Sequence, residues 1–119
     1  MLYQYKVSKR TLATHSLPAP ASQAIQSHAR DIAVARKRRR IPQRLLAQRM
    51  MVSLDTVHRL EHADPGVSLG VVASALWVLG SIDRLSRLLA PETDVIGQAE
   101  DARRLPQRIR HRRAASLDF

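Results

Sequence analysis

The sequence predicts an all-α protein, with five helices between residues 22 and 91. Three observations predict it. Apolar residues recur at helical spacing, and no alternating apolar–polar run persists. Proline, glycine, serine and aspartate fall where helices would have to start or stop. No unit of 20 to 50 residues repeats, so the chain is not a solenoid. At 119 residues it can bury one modest core. The expected division is a flexible basic arm over residues 1–21, a helical domain over 22–91 and a basic extension over 92–119, with fraying near its end.

Each element has a local reason. Leu17-Pro18-Ala19-Pro20 interrupts any helix, so order is expected from about Ala21. Ile25, Ala29, Ile32 and Ala33 then mark one face of a helix that runs into Arg36-Lys37-Arg38-Arg39-Arg40, cations that suit a helix C-terminus. Ile41-Pro42 opens a short second helix, to about Arg49, because proline fits the first turn. Ser53 is the N-cap of a third, with Asp55 in its positive first turn and Val57 and Leu60 facing inward.

Ala63-Asp64-Pro65-Gly66 is a turn by composition. Ser68 caps a fourth, apolar helix over residues 69–79, with Val72, Ala75, Leu76 and Leu79 on one face and Trp77 expected in the core. Gly80 ends it. Ser81 caps a fifth carrying Ile82, Leu85, Leu88 and Leu89, closed by Pro91, and a weaker helix is expected over residues 94–103.

Charge narrows the function classes. The chain has 20 Lys+Arg against 10 Asp+Glu, a net charge of +10, which favours a polyanionic partner. The excess is segmented: residues 1–49 carry +10, residues 50–102 carry −5 and residues 103–119 carry +5. The absence of cysteine excludes disulfide scaffolds and thiolate metal sites and suits a reducing interior, with the cytoplasm as the expected location. No apolar run approaches the roughly 18 residues of a membrane span. The acid-free first 30 residues resemble a transit peptide only in composition, since they lack amphipathic rhythm.

Catalysis and cofactors find no support. The four glycines form no phosphate loop, and no serine sits in a nucleophile elbow. Histidines stand at 15, 28, 58, 62 and 111, and His58 with His62 has i, i+4 spacing, but no third ligand is near; no metal is expected.

The informative unit is the pair of short helices around the turn at Met51, with small Ala47 where they approach and Leu46, Met50, Val57 and Leu60 locking them to the first and fourth helices. Over about residues 28 to 90 this resembles the lambda-repressor-like helix-turn-helix family, the XRE-type regulators. The resemblance lies in a basic first helix, Gln43, Leu46-Ala47, Val52-Ser53, Thr56-Val57 and Arg59-Leu60-Glu61. Asp64-Pro65-Gly66-Val67-Ser68-Leu69, Ala75-Leu76-Trp77 and Arg104-Leu105-Pro106 look like the HipB-like antitoxin branch, which accompanies HipA-type kinase toxins. Met51 stands where the family's turn carries glycine; left-handed geometry there costs a residue with a side chain roughly 1 kcal/mol.

The resemblance implies a five-helix DNA-binding domain whose third helix reads base edges. The readers would be Leu54, Asp55, Thr56, His58 and Arg59: Arg59 for guanine, Asp55 for cytosine N4, Leu54 for a thymine methyl, Thr56 and His58 for bases or phosphates. Gln43, Arg44 and Ser53 would touch phosphate at helix N-termini, and Arg38, Arg39 and Arg40 would add neutralisation, since no acid lies between Asp31 and Asp55. It further implies a nucleoid-associated repressor that binds double-stranded DNA at an inverted repeat as a homodimer, restrains a HipA-type kinase and regulates its own operon. Leu45, off the inner face, is a candidate subunit contact; Arg104, Arg108, Arg110, Arg112 and Arg113 are candidates for tracking DNA. Two alternatives stay open: a phage- or plasmid-type repressor without a toxin, and a basic RNA-binding protein, against which stands the scarcity of aromatic platforms.

Overall fold

A computed structural model describes residues 16–104. Among these residues all regular structure is helical: α1 Ala19–Arg38, α2 Gln43–Met50, α3 Leu54–Glu61, α4 Leu69–Val78, α5 Ile82–Ser86 and a sixth helix, α6, over residues 95–104. None of the described helices is long and apolar enough to cross a membrane. The chain divides into two compact units, one ending at Leu85 and one beginning at Ser86.

In the first unit α2 lies between its neighbours, packing on α3 and α4, while α1 packs on α3. The core is made of Ile32 from α1, Ile41 from the following loop, Leu46, Ala47 and Met50 from α2, Val57 and Leu60 from α3, and Ala75 and Leu79 at α4. Leu46, Val57 and Ala75 are wholly inaccessible to water. Ala47 is buried at the point where a larger side chain would push α2 from its neighbours.

Helix starts follow the sequence rules. Ser53 Oγ accepts from the Thr56 amide at 3.1 Å, and Ser68 Oγ accepts from the Val71 amide at 3.2 Å. Asp64 closes the turn before α4 by accepting from the Gly66 amide at 2.8 Å. α1 begins at Ala19, ahead of the expected start near Ala21, because Pro20 falls inside the first turn, where no amide donor is needed.

Helices α1 to α4 all end in the same way. In each, one residue turns the chain and the amide of the next returns to a carbonyl in the last turn: Ile41 to Arg36, Val52 to Ala47, Asp64 to Arg59 and Ser81 to Leu76. The residue that turns the chain is left-handed each time: Arg40 (φ 55°), Met51 (φ 58°), Ala63 (φ 62°) and Gly80 (φ 80°). Only the last is glycine. Met51 has 92% of its surface exposed, so its side chain contributes no packing to offset the strain. Met51→Gly is therefore expected to stabilise the protein by about 0.5–1 kcal/mol, raising the thermal midpoint by roughly 4 °C. A lower midpoint in a melt followed by circular dichroism would contradict this.

Four expectations are corrected. Trp77 is not in the core; 67% of it is exposed, and with Leu69 and Ala73 it forms a stripe along α4 away from Ala75 and Leu79. The fifth helix stops at Ser86, residues 87–89 form turns, and Leu88 and Leu89 are exposed. Pro91 has no amide to close a turn on Arg87 and disfavours helical geometry at Ala90, and two leucines without a buried surface do not hold the intervening turn. Leu45 is half-buried and packs against the core from its edge. The weak helix runs over residues 95–104, shifted by one, with Asp94 Oδ1 accepting from the Gly97 amide at 3.0 Å.

Candidate nucleic-acid interface

Burial of Val57 and Leu60 sets the rotation of α3. At 100° per residue the opposite side then carries Asp55, with Thr56, His58 and Arg59 along its flanks. Asp55 is exposed, whereas Leu54, Thr56, His58 and Arg59 are half-buried. The structure thus brings the five candidate readers onto one short helix, with no part of the first unit's core drawn from them.

Arg59 is braced along this surface. Its Nε lies 3.2 Å from Asp55 Oδ2, its Nη2 donates to Thr56 Oγ1 at 3.4 Å, and its Nη1 lies 3.9 Å from Asp64 Oδ2. Thr56 Oγ1 is itself held 2.9 Å from Ser53 Oγ. With side chains about half in water, these pairs contribute little stability. What they do is restrict the guanidinium to a few directions along the helix.

A second network lies behind α3. Arg36, on the inward face of α1, is 8% exposed, and its Nε and Nη2 donate to the two Glu61 carboxylate oxygens at 2.6 and 3.1 Å. Its Nη1 donates to the Ile41 carbonyl at 3.0 Å. Gln43 Nε2 donates to Glu61 Oε1 at 3.0 Å, and Gln43 Oε1 lies 3.1 Å from His58 Nε2. The first turn of α2, the end of α1 and both turns of α3 are thereby tied through polar atoms. His62 Nδ1 donates to the His58 carbonyl at 2.6 Å and closes the end of α3.

Gln43 and Ser53 thus already use their side chains within the protein, Gln43 on Glu61 and His58, Ser53 as the cap of α3. Arg44 is exposed. Arg38, Arg39 and Arg40 are exposed at the end of α1, two to four residues beyond Arg36, and the Arg36–Glu61 bridge fixes that end against the last turn of α3. Arg39 Nη1 donates to the Ala35 carbonyl at 2.8 Å. No protein-family model, curated protein or solved structure matches the chain.

Among the described residues no group of three or more His, Asp or Glu side chains is placed to hold a metal ion. His15, His111, Arg108, Arg110, Arg112, Arg113 and the Leu105-Pro106 pair lie outside the described residues. Arg103 and Arg104 are exposed and pair with Glu100, the latter at 3.7 Å.

Sequence reasoning missed Arg36 and Glu61 as partners. A signal was present: Arg36 stands four residues after Ile32 and seven after Ala29, on the stripe that the apolar residues of α1 define. An arginine on an inward stripe requires a buried carboxylate, and Glu61 follows Leu60 on the next helix but one.

Proposed function

We propose that this protein is a sequence-specific DNA-binding repressor of the lambda-repressor-like helix-turn-helix type, reading duplex DNA with α3 and binding an inverted repeat as a homodimer. The observation that carries the reading is the outer side of α3: Asp55, Thr56, His58 and Arg59 on one short helix, its rotation set by buried Val57 and Leu60, with Asp55 exposed and none of the four drawn into the core. A protruding helix of this kind fits the major groove, and the hydrogen-bonding inventory on it matches base edges. Arg59 would grip guanine O6 and N7, with Asp55 accepting from cytosine N4 and Leu54 against a thymine methyl. Exposed Arg38, Arg39, Arg40 and Arg44 supply the phosphate contacts, with the first turns of α2 and α3, at Gln43 and Ser53, offering amides.

One short helix contacts too few base pairs for useful specificity, which is why the active species is a dimer. A kinase toxin of the HipA type is the proposed protein partner, making the chain an antitoxin that controls its own operon. Leu88, Leu89, Val95 and Ile96, exposed in the second unit, favour a protein contact there.

Selection of binding sites from a randomised duplex pool tests the reading. The expected result is an inverted repeat whose half-sites are about one helical turn apart, with affinity falling steeply as salt rises. Arg59→Ala is expected to lose about 1–3 kcal/mol on the selected site and to relax preference at one base pair of each half-site. Equal loss on unrelated duplexes would refute a base-reading role for Arg59. Stronger binding to single-stranded RNA than to any duplex would favour the RNA-binding alternative. Purification from the native host without an accompanying kinase would favour a repressor that has no toxin.

A further inference from the structure

We infer that Gln43 and Glu61 fix the proton position on His58, so that its ring turns Nε2–H inward and offers Nδ1 outward as a hydrogen-bond acceptor. The argument is a chain of donors and acceptors. Arg36 can only donate, and it gives two hydrogens to Glu61. The Glu61 carboxylate can only accept, so the Gln43 atom 3.0 Å from it must be the amide nitrogen. An amide oxygen there would set two acceptors against each other in a largely dry site, where the Glu61 side chain is 5% exposed.

That orientation leaves Gln43 Oε1 facing His58 Nε2 at 3.1 Å. An amide oxygen accepts, so Nε2 must carry the hydrogen. In a neutral imidazole only one nitrogen is protonated, and Nδ1 is then left with its lone pair. Among the described residues Nδ1 has no hydrogen-bond partner, and it is not one of the buried atoms that lack a hydrogen bond, which are His28 Nε2 and Arg59 Nε. It is therefore open to water.

The consequence for recognition rests on the DNA-binding reading above, whereas the proton position does not. A lone pair on the outer side of α3 suits a base amino group, cytosine N4 or adenine N6, and is repelled by phosphate oxygens. His58 is thus assigned to base edges, and Gln43 becomes a positioning residue that acts through His58.

Two-bond proton–nitrogen correlation spectra of the full chain with 15N-labelled histidine read the proton directly, with His58 assigned by its loss in His58→Asn. At a pH where the ring is neutral, a pyrrole-type shift is expected at Nε2 and a pyridine-type shift at Nδ1. In Gln43→Ala both shifts should move towards the average of free histidine. A proton on Nδ1, or shifts unchanged in Gln43→Ala, would overturn the inference. Selection from the randomised duplex pool reads the second half: His58→Ala and Gln43→Ala should both lose about fivefold discrimination at the same base pair. Uniform loss on all duplexes for Gln43→Ala would make it a phosphate contact and overturn its positioning role. A wild-type protein that selects no duplex would remove the base assignment, leaving the proton position to stand or fall on the spectra.

Discussion

Arg36→Met is expected to destabilise the first unit by about 3–5 kcal/mol, because it leaves the Glu61 carboxylate buried without its cation. The bridge is two-pronged, its side chains are 10% and 5% exposed, and among the described residues no second cation is bonded to Glu61. The Gln43 amide alone does not balance the desolvation of a full charge. A unit of this size has roughly 4–10 kcal/mol of stability, so the single variant approaches the folding limit. Arg36→Met combined with Glu61→Leu keeps the question answerable: removing both charges is expected to recover most of the loss, since an apolar pair of similar volume often equals a buried ion pair. Urea unfolding at low temperature measures both. A double variant as unstable as the single would mean that the Arg36–Ile41 carbonyl bond and side-chain packing, not the buried charge, carry the effect.

Leu46→Ala is expected to cost about 2–5 kcal/mol. Leu46 has no exposed surface and sits in α2, the helix in contact with both α3 and α4, so the cavity opens where three helices meet. Its rigid neighbours, Val57 and Ala75, are equally buried and cannot swing in to fill the space. Trp77→Ala, at an exposed position, provides the contrast and is expected to change stability by less than about 0.5 kcal/mol. The reverse order in denaturant midpoints would mean that the stripe of Leu69, Ala73 and Trp77 is covered in solution.

These outcomes mark what the amino-acid sequence made legible. The caps at Ser53 and Ser68, the stop at Gly80 and the inward positions Leu46, Val57 and Leu60 follow from local rules, because each depends on a residue type at a fixed offset from its own helix. The candidate readers came from the resemblance of this stretch to a helix-turn-helix, and periodicity supplied only the inward pair Val57 and Leu60. Trp77 went wrong because its aromatic character outweighed its spacing, which sets it with Leu69 rather than with Ala75. Leu88 and Leu89 went wrong because periodicity reports which residues would share a face, not whether anything lies opposite. The links from Arg36 to Glu61 and from Gln43 to His58 join residues 25 and 15 positions apart, and no local pattern encodes which polar groups will meet across a packed interface.

The three left-handed helix ends at Arg40, Met51 and Ala63 bear on the lifetime of the molecule in a cell. Each holds the folded state below the stability that the same backbone would reach with glycine at the bend, and the fraction transiently open to proteases rises accordingly. Abundance is thus adjustable at the Met51 bend, whose side chain touches neither the interior nor the outer side of α3.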